Sequence, residues 1–564
     1  MVLDVFLHVG RAFAALVFGL GVLFHAVNLY GLSPRIRLPR IEPLVALALG
    51  LLGVFVLYAL LAPWRAPPPG GLLLPLIHLP PPPQGAVWAV AIVALAVTFP
   101  FTFLQKVFGN SDVGNIISAL QENDWGDLAD VAAADLRRDL VEFAVVLTLT
   151  LGTAAVLMHS LPWFGIMLAQ LSVLAIAVSP PARYLYRRLV PDPAVALVTL
   201  ERNFRPPAFE ERPATKRNLV LIYLESLERS YREHPATADA FARMAAFEDA
   251  HFSARRMGQV DGLHYSAAGM VGSQCGIPLF PRGLLDAKAI KPGQRGGVFD
   301  MSRFLPGVTG LGDILRADGY AGTYLNGSDV EIFSIGAFKR THGYDRVIGL
   351  KPKRDAIKVK GQNTWGVPDQ VLFAEAKAEL ARLAAAGQPF FLSLLTACTH
   401  GPAGYPEPGC TYVPPVLPAM KDSLLPAAIR CSIDQTLDLV DEIDRLGLAD
   451  NTVVAILSDH LAMPNTLWTE LQEVGEGRSG LCVIKGGSAP AATVSNRPAT
   501  LLDVYPTILE AMGYRLQEGQ ANLGVSLLSG RPTLAETMGL AMLERALKAN
   551  RDIKAHVWID PASG

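Results

Sequence analysis

Cysteine is scarce in this chain, and the first 274 residues hold none: the five sit at positions 275, 398, 410, 431 and 482. No two form a C-x-x-C pair, which argues against a structural zinc site. Charge of one sign is lacking too, since 49 Lys and Arg against 51 Asp and Glu leave a net −2. Without a basic excess there is no case for nucleic acid as a partner. Internal repeats and low-complexity tracts are absent, which removes solenoid and disordered architectures. Apolar side chains are what the 564 residues have in abundance: 51% are hydrophobic and the mean hydropathy is +0.31. The excess sits in the first third.

Membrane-spanning length takes about 20 apolar residues. Five stretches reach it, at roughly Ala12–Leu32, Pro43–Ala62, Ala86–Leu104, Leu140–His159 and Leu161–Pro180. Residues 1–181 therefore read as an α-helical transmembrane bundle. Residues 63–85, rich in Pro, Leu and Gly, read as a loop, and 110–139 as amphipathic helix near the interface. A basic, proline-bearing connector, 182–217, leads into an α/β domain at 218–564. Strands are expected at 218–224, 321–325, 389–395, 452–458 and 480–485. Helices are expected at 236–249, from about Ser266, and at 309–318, 367–386, 425–446 and 501–512. Such alternation predicts a mostly parallel central sheet covered on both faces.

Chemistry concentrates at strand ends. The apolar run Asn218–Leu224 stops at Glu225, and the run Thr452–Leu457 stops at Ser458-Asp459-His460. In open α/β sheets ligands bind at the carboxyl edge of the strands. Two hard oxygens and one imidazole suit a divalent cation, manganese or zinc with magnesium also compatible. Ser266 is the natural fourth ligand, and it opens a helix whose N–H groups would face a phosphate. A cation there would act as a Lewis acid on the phosphoryl group and ease deprotonation of the serine. His400 follows another apolar strand and reaches the same edge, where it would hold the phosphate or protonate a leaving oxygen. Each residue alone also has a plain structural reading, as cap, loop or surface residue. Cys410 and Cys431 flank a proline-rich loop and the start of a helix; they read either as a disulfide or as two free thiols.

Four strings, Leu224–Tyr231, Ser266–Leu279, Thr399–Pro402 and Ser458–Met463, resemble the membrane phosphoglycerol transferases that modify periplasmic glucans. More broadly the chain resembles lipoteichoic acid synthases and the alkaline phosphatase/sulfatase superfamily, over about residues 216–530. The resemblance implies Glu225, Ser266, Asp459 and His460 as ligands of one divalent ion, Mn2+ foremost. It implies His400 as the residue that meets the phosphoglycerol group. The family usually has threonine where this chain has Ser266. Its glycerol-phosphate-binding tryptophan and arginine have no match in Asn326–Gly343, where Phe333, Phe338 and His342 stand; Phe333 and His342 become the substrate-binding candidates.

The implied reaction moves phosphoglycerol from phosphatidylglycerol to a periplasmic glucan through a glycerophospho-serine at Ser266. The alternatives are phosphoethanolamine transfer to lipid A or glycans, hydrolysis of sulfate or phosphate esters, and a non-catalytic membrane sensor. With five spans, the arginine distribution puts the α/β domain in the cytoplasm. The resemblance puts it in the periplasm, anchored to the inner membrane, and a Cys410–Cys431 bridge sides with the resemblance.

Overall fold

The computed structural model describes residues 200–279, 304–351, 366–416, 423–474 and 477–549, with shorter pieces among 13–199 and 553–558. They form two compact units that divide between Val190 and Pro191. The first contains the helices α1 (Gln84–Val107) and α2 (Phe164–Val178). Its small core gathers Phe18, Val87, Leu157 and Phe164, with the Phe18 and Phe164 rings 4.9 Å apart edge to face. Phe13, Ile92, Val173 and Leu174 point outward.

No helix among the described residues is long and apolar enough to cross a membrane. For α2 the reason is length: its 15 residues rise about 22 Å, short of a hydrocarbon core about 30 Å thick. The expected five-span bundle is thus not found among them. The stretches Pro43–Ala62, 63–82 and 110–139 lie outside the described residues.

The second unit is built on an eight-stranded sheet. Its order is β4 (Arg346–Gly349), β3 (Ala321–Asn326), β5 (Phe390–Leu395), β1 (Asn218–Leu224), β6 (Thr452–Ser458), β7 (Cys482–Lys485), β2 (Phe252–Ala254), β8 (Val494–Ser495). The first five run parallel, as expected, but β7 runs antiparallel to both β6 and β2, so the sheet is mixed. Buried on both faces, β1 is apolar after Asn218, and its side chains alternate between two cores. Leu219, Leu221 and Tyr223 join the core beneath α4 (Ser266–Cys275) and α9 (Leu501–Ala511). Val220, Ile222 and Leu224 face α3 (Ala238–Ala250), α7 (Asp369–Ala386) and α8 (Leu425–Arg445).

Two features outside the sheet affect stability. Cys410 and Cys431 are joined by a disulfide, closing a loop onto the start of α8; chain entropy alone makes such a bridge worth roughly 3 kcal/mol. The second is Lys339, fully buried on α6 (Ile335–Thr341), the helix that follows α5 (Leu311–Ala317). Its Nζ has no hydrogen-bond partner among the described residues and lies 4.6 to 5.0 Å from the ring centres of Tyr324, Phe338 and Tyr344. Burial pushes its pKa well below the ordinary 10.5. Between that depressed value and 10.5 the unfolded chain binds the extra proton, so stability rises with pH across the window. Lys339→Met is therefore expected to raise stability near pH 7 by about 1–3 kcal/mol, with the gain shrinking toward pH 10. Urea titrations at the two pH values check this. A destabilised variant would mean that attraction between ammonium and rings outweighs desolvation.

Candidate functional site

Register brings the two carboxylates together. β1 and β6 are parallel neighbours with Leu224 opposite Ser458, so the next residues, Glu225 and Asp459, leave the sheet side by side. Ser226 turns the chain sharply with φ at 52°, a conformation a non-glycine residue adopts only when it is held. Its amide donates to Asp459 Oδ1 at 2.9 Å and its hydroxyl to Glu225 Oε1 at 2.8 Å. On the other flank, the Glu225 amide donates to Thr396 Oγ1 at 3.0 Å, and the Thr399 hydroxyl donates to the Glu225 carbonyl oxygen.

His460 completes the group. Its Nδ1 pairs with the Leu461 carbonyl oxygen at 2.8 Å, which turns Nε2 toward the acids, 3.4 Å from Asp459 Oδ2 and 3.5 Å from Glu225 Oε1. Fixing one ring nitrogen in this way leaves the other aimed as a ligand. One ligand atom from each of Glu225, Asp459 and His460 falls within 4.8 Å of the others, and all three side chains are buried.

Ser266, first residue of α4, donates its hydroxyl to Glu225 Oε2 at 2.9 Å. The helix reaches this position because Gly269 lies directly on the strand end: a Cβ there would stand 1.7 Å from the Asp459 carbonyl oxygen. The site therefore gathers Glu225, Ser266, Asp459 and His460 from three separate segments. His400 lies beside them, its Nδ1 paired with the Gly401 carbonyl oxygen at 2.8 Å and its charge acting on Glu225.

The electrostatics show a cluster short of positive charge. Burial pushes the Glu225 carboxyl up, but the charge and hydrogen bond of His460, followed by the charge of His400, hold it well below the usual carboxylate range. Burial and the neighbouring Glu225 charge push Asp459 up to about 8. For His460 burial is outweighed by the two carboxylates, which raise it to about 9. Asp459 Oδ2 is buried with no hydrogen-bond partner among the described residues. Its contact with His460 Nε2 at 3.4 Å leaves that desolvated oxygen without a hydrogen bond, a cost that a bound cation would offset. The donor set fits one divalent ion.

The two other substrate candidates part ways. Phe333 lies 5.2 Å, ring to ring, from Tyr265, the residue before Ser266. His342 is used elsewhere: Nδ1 meets Asp313 Oδ2 at 2.7 Å and Nε2 the Phe304 carbonyl oxygen at 2.9 Å. With both nitrogens engaged and the ring buried, it fastens the fold rather than joining the group at Glu225.

Several supporting residues carry no sequence signal of their own. Asp369 Oδ1 accepts from the Ala397 and Cys398 amides at 2.8 and 3.1 Å, setting the loop that ends in His400. Glu228, two residues past Ser226, accepts from the Ala462 amide at 2.9 Å and pairs with Arg478, fixing the segment after His460. Only Glu228 lay within a string singled out from the sequence.

The sulfatase family model matches residues 291–514. Phosphoglycerol transferase I of Xanthomonas campestris pv. campestris is 33% identical over 380 residues, 66% of this chain and 50% of that protein. Phosphoglycerol transferase I of Escherichia fergusonii is 30% identical over 350 residues, 62% of this chain and 43% of its own. The chain thus spans about half the length of the curated relatives it matches. A crystal structure of a lipoteichoic acid synthase from Listeria monocytogenes covers 56% of this chain and 77% of that one, at 14% identity and a TM-score of 0.43.

Proposed function

Starting from a sulfatase-like domain whose curated relatives are phosphoglycerol transferases I, we propose that the chain transfers phosphoglycerol from phosphatidylglycerol to a periplasmic glucan. The observation that carries this is the hydroxyl of Ser266, 2.9 Å from Glu225 Oε2 at the edge of a buried Glu225–Asp459–His460 group.

Glu225, Ser266, Asp459 and His460 would hold one divalent cation, with manganese the best match to a mixed oxygen and imidazole set. Such a cation supplies Lewis-acid stabilisation of the phosphoryl oxygens and favours the ionised serine. The chain's own residues do the rest. Glu225 orients the Ser266 hydroxyl through its hydrogen bond. Ser266 Oγ releases its proton to solvent and forms a bond to phosphorus, and the bond from phosphorus to the diacylglycerol oxygen breaks. His400 gives the departing diacylglycerol oxygen its proton. A glucan hydroxyl then attacks phosphorus and surrenders its proton to His400, the bond from phosphorus to Oγ breaks, and Oγ takes a proton from solvent to restore the serine hydroxyl. The helix dipole and N–H groups at the start of α4 favour the anionic group held there. Phe333, beside Tyr265, borders the position of the glycerol.

The apolar first third of the chain supports attachment to the inner membrane, which keeps the site at high effective donor concentration. The disulfide supports a periplasmic α/β domain running from residue 218, after a connector at 182–217.

Incubation of the full chain with manganese and phosphatidylglycerol labelled in its free glycerol tests the reading. Label is expected in an added β-glucan, with release of diacylglycerol. Label appearing only as free glycerophosphate, with glucan present, would point to a hydrolase. Activity on phosphatidylethanolamine instead would move the reading to phosphoethanolamine transfer.

A further inference from the structure

His400 is held from two flanks, and only one of them belongs to the cation group. Before it, the Thr399 hydroxyl donates to the Glu225 carbonyl oxygen, and Asp369 takes the Ala397 and Cys398 amides. After it comes Gly401, whose carbonyl oxygen pairs with His400 Nδ1 at 2.8 Å. A ring tied through one nitrogen points the other where that tie dictates. The Gly401 peptide therefore aims the imidazole, and what fixes that peptide lies farther along the chain.

Residues 402–410 are fastened to one stripe of α8. Gly404 rests on its first turn, where a Cβ would stand 2.7 Å from Leu425 Cα and 3.1 Å from Ala428 Cβ. Glu407 Oε1 accepts from Gln435 Nε2 at 3.0 Å, and Cys410 is bonded to Cys431. Leu425, Ala428, Cys431 and Gln435 follow one another at the three- and four-residue spacing of a single helix face. The near end of the loop is tied back to the strand end, since the Tyr405 amide donates to the Cys398 carbonyl oxygen at 2.7 Å. Thr466 adds one amide bond to the Pro402 carbonyl oxygen, at 2.8 Å. Of these ties, only Cys410–Cys431 is covalent.

Resting on the transferase reading, in which His400 protonates the departing oxygen, we propose that the Cys410–Cys431 bridge is a positioning element for His400. Holding residues 402–410 on α8 keeps the Gly401 carbonyl oxygen where it orients the ring. The double variant Cys410→Ala with Cys431→Ala is expected to slow diacylglycerol release from phosphatidylglycerol by about tenfold to a hundredfold, the scale on which a misplaced general acid acts. A diester of glycerophosphate with 4-nitrophenol separates positioning from mere support of the fold. Nitrophenolate leaves without a proton, so its first-turnover burst should keep the wild-type rate in the double variant. His400→Ala should show the same split, and adding it to the double variant should change nothing further. Dithiothreitol, which reduces the bridge in folded wild-type protein, should reproduce the pattern should the variant fold poorly. Unchanged diacylglycerol release, or equal losses with both donors, overturns the positioning role. Hydrogen exchange needs no turnover: peptides covering 399–410 should exchange about tenfold faster once the bridge is open, and unchanged protection also overturns it. Failure of the wild-type chain to release diacylglycerol, with protection changing as expected, overturns the transferase reading instead.

Discussion

Ser266→Ala is expected to lower transfer by about 10^4-fold or more, the scale on which removal of a serine nucleophile acts. The loss should fall on kcat and kcat/KM alike, with little change in donor KM, because the hydroxyl forms its bond only as the reaction proceeds. Mass spectrometry supplies the complementary readout. Wild-type protein given phosphatidylglycerol without glucan should carry a glycerophosphate adduct on the peptide that begins α4, and the variant should carry none. The fold should survive, since Ser266 is the one residue of α4 that is not buried. Full transfer by the alanine variant would remove the covalent route altogether.

Gly269→Ala should have the largest effect on the folded state. The added methyl would stand 1.7 Å from the Asp459 carbonyl oxygen and 2.8 Å from its carbonyl carbon, both backbone atoms that no rotamer change can move. Either α4 lifts from the strand end or the strand end yields. Both displace Ser266 from Glu225 and Asp459 from His460. Overpacking of this kind costs about 3 kcal/mol or more. Thermal unfolding should show a lower midpoint, and the gain in midpoint expected for the wild-type protein on adding manganese should be lost. A variant with wild-type stability and wild-type cation response would show that the close approach is not needed.

Much of this site was legible in the sequence because its residues follow strong signals. β1 and β6 are mainly apolar runs followed closely by an acid, and both strands begin and end where expected. Once they pair in parallel, Glu225 and Asp459 must emerge together. Strands β2, β4 and β8 escaped notice because two to four residues carry no readable alternation. They are defined by the neighbours they pair with. The reversal at β7 is likewise a property of the pairing partner. The contacts of His342 carry no sequence signal either: its partners, Asp313 and the Phe304 carbonyl, lie 29 and 38 residues away. Ser226 and Asp369 act through backbone amides brought close by folding, so neither announces itself. The apolar first third predicts spans by composition, whereas the helices described there are defined by their packing on one another.

Everything proposed for the reaction depends on Glu225, Ser266, Asp459 and His460 enclosing a cation. Crystals soaked in manganese, measured at its absorption edge, test it most directly. A single anomalous peak is expected, bounded by the Glu225 and Asp459 carboxylates, His460 Nε2 and Ser266 Oγ. No peak at that position, or one held by other residues while these four keep their mutual hydrogen bonds, would contradict it.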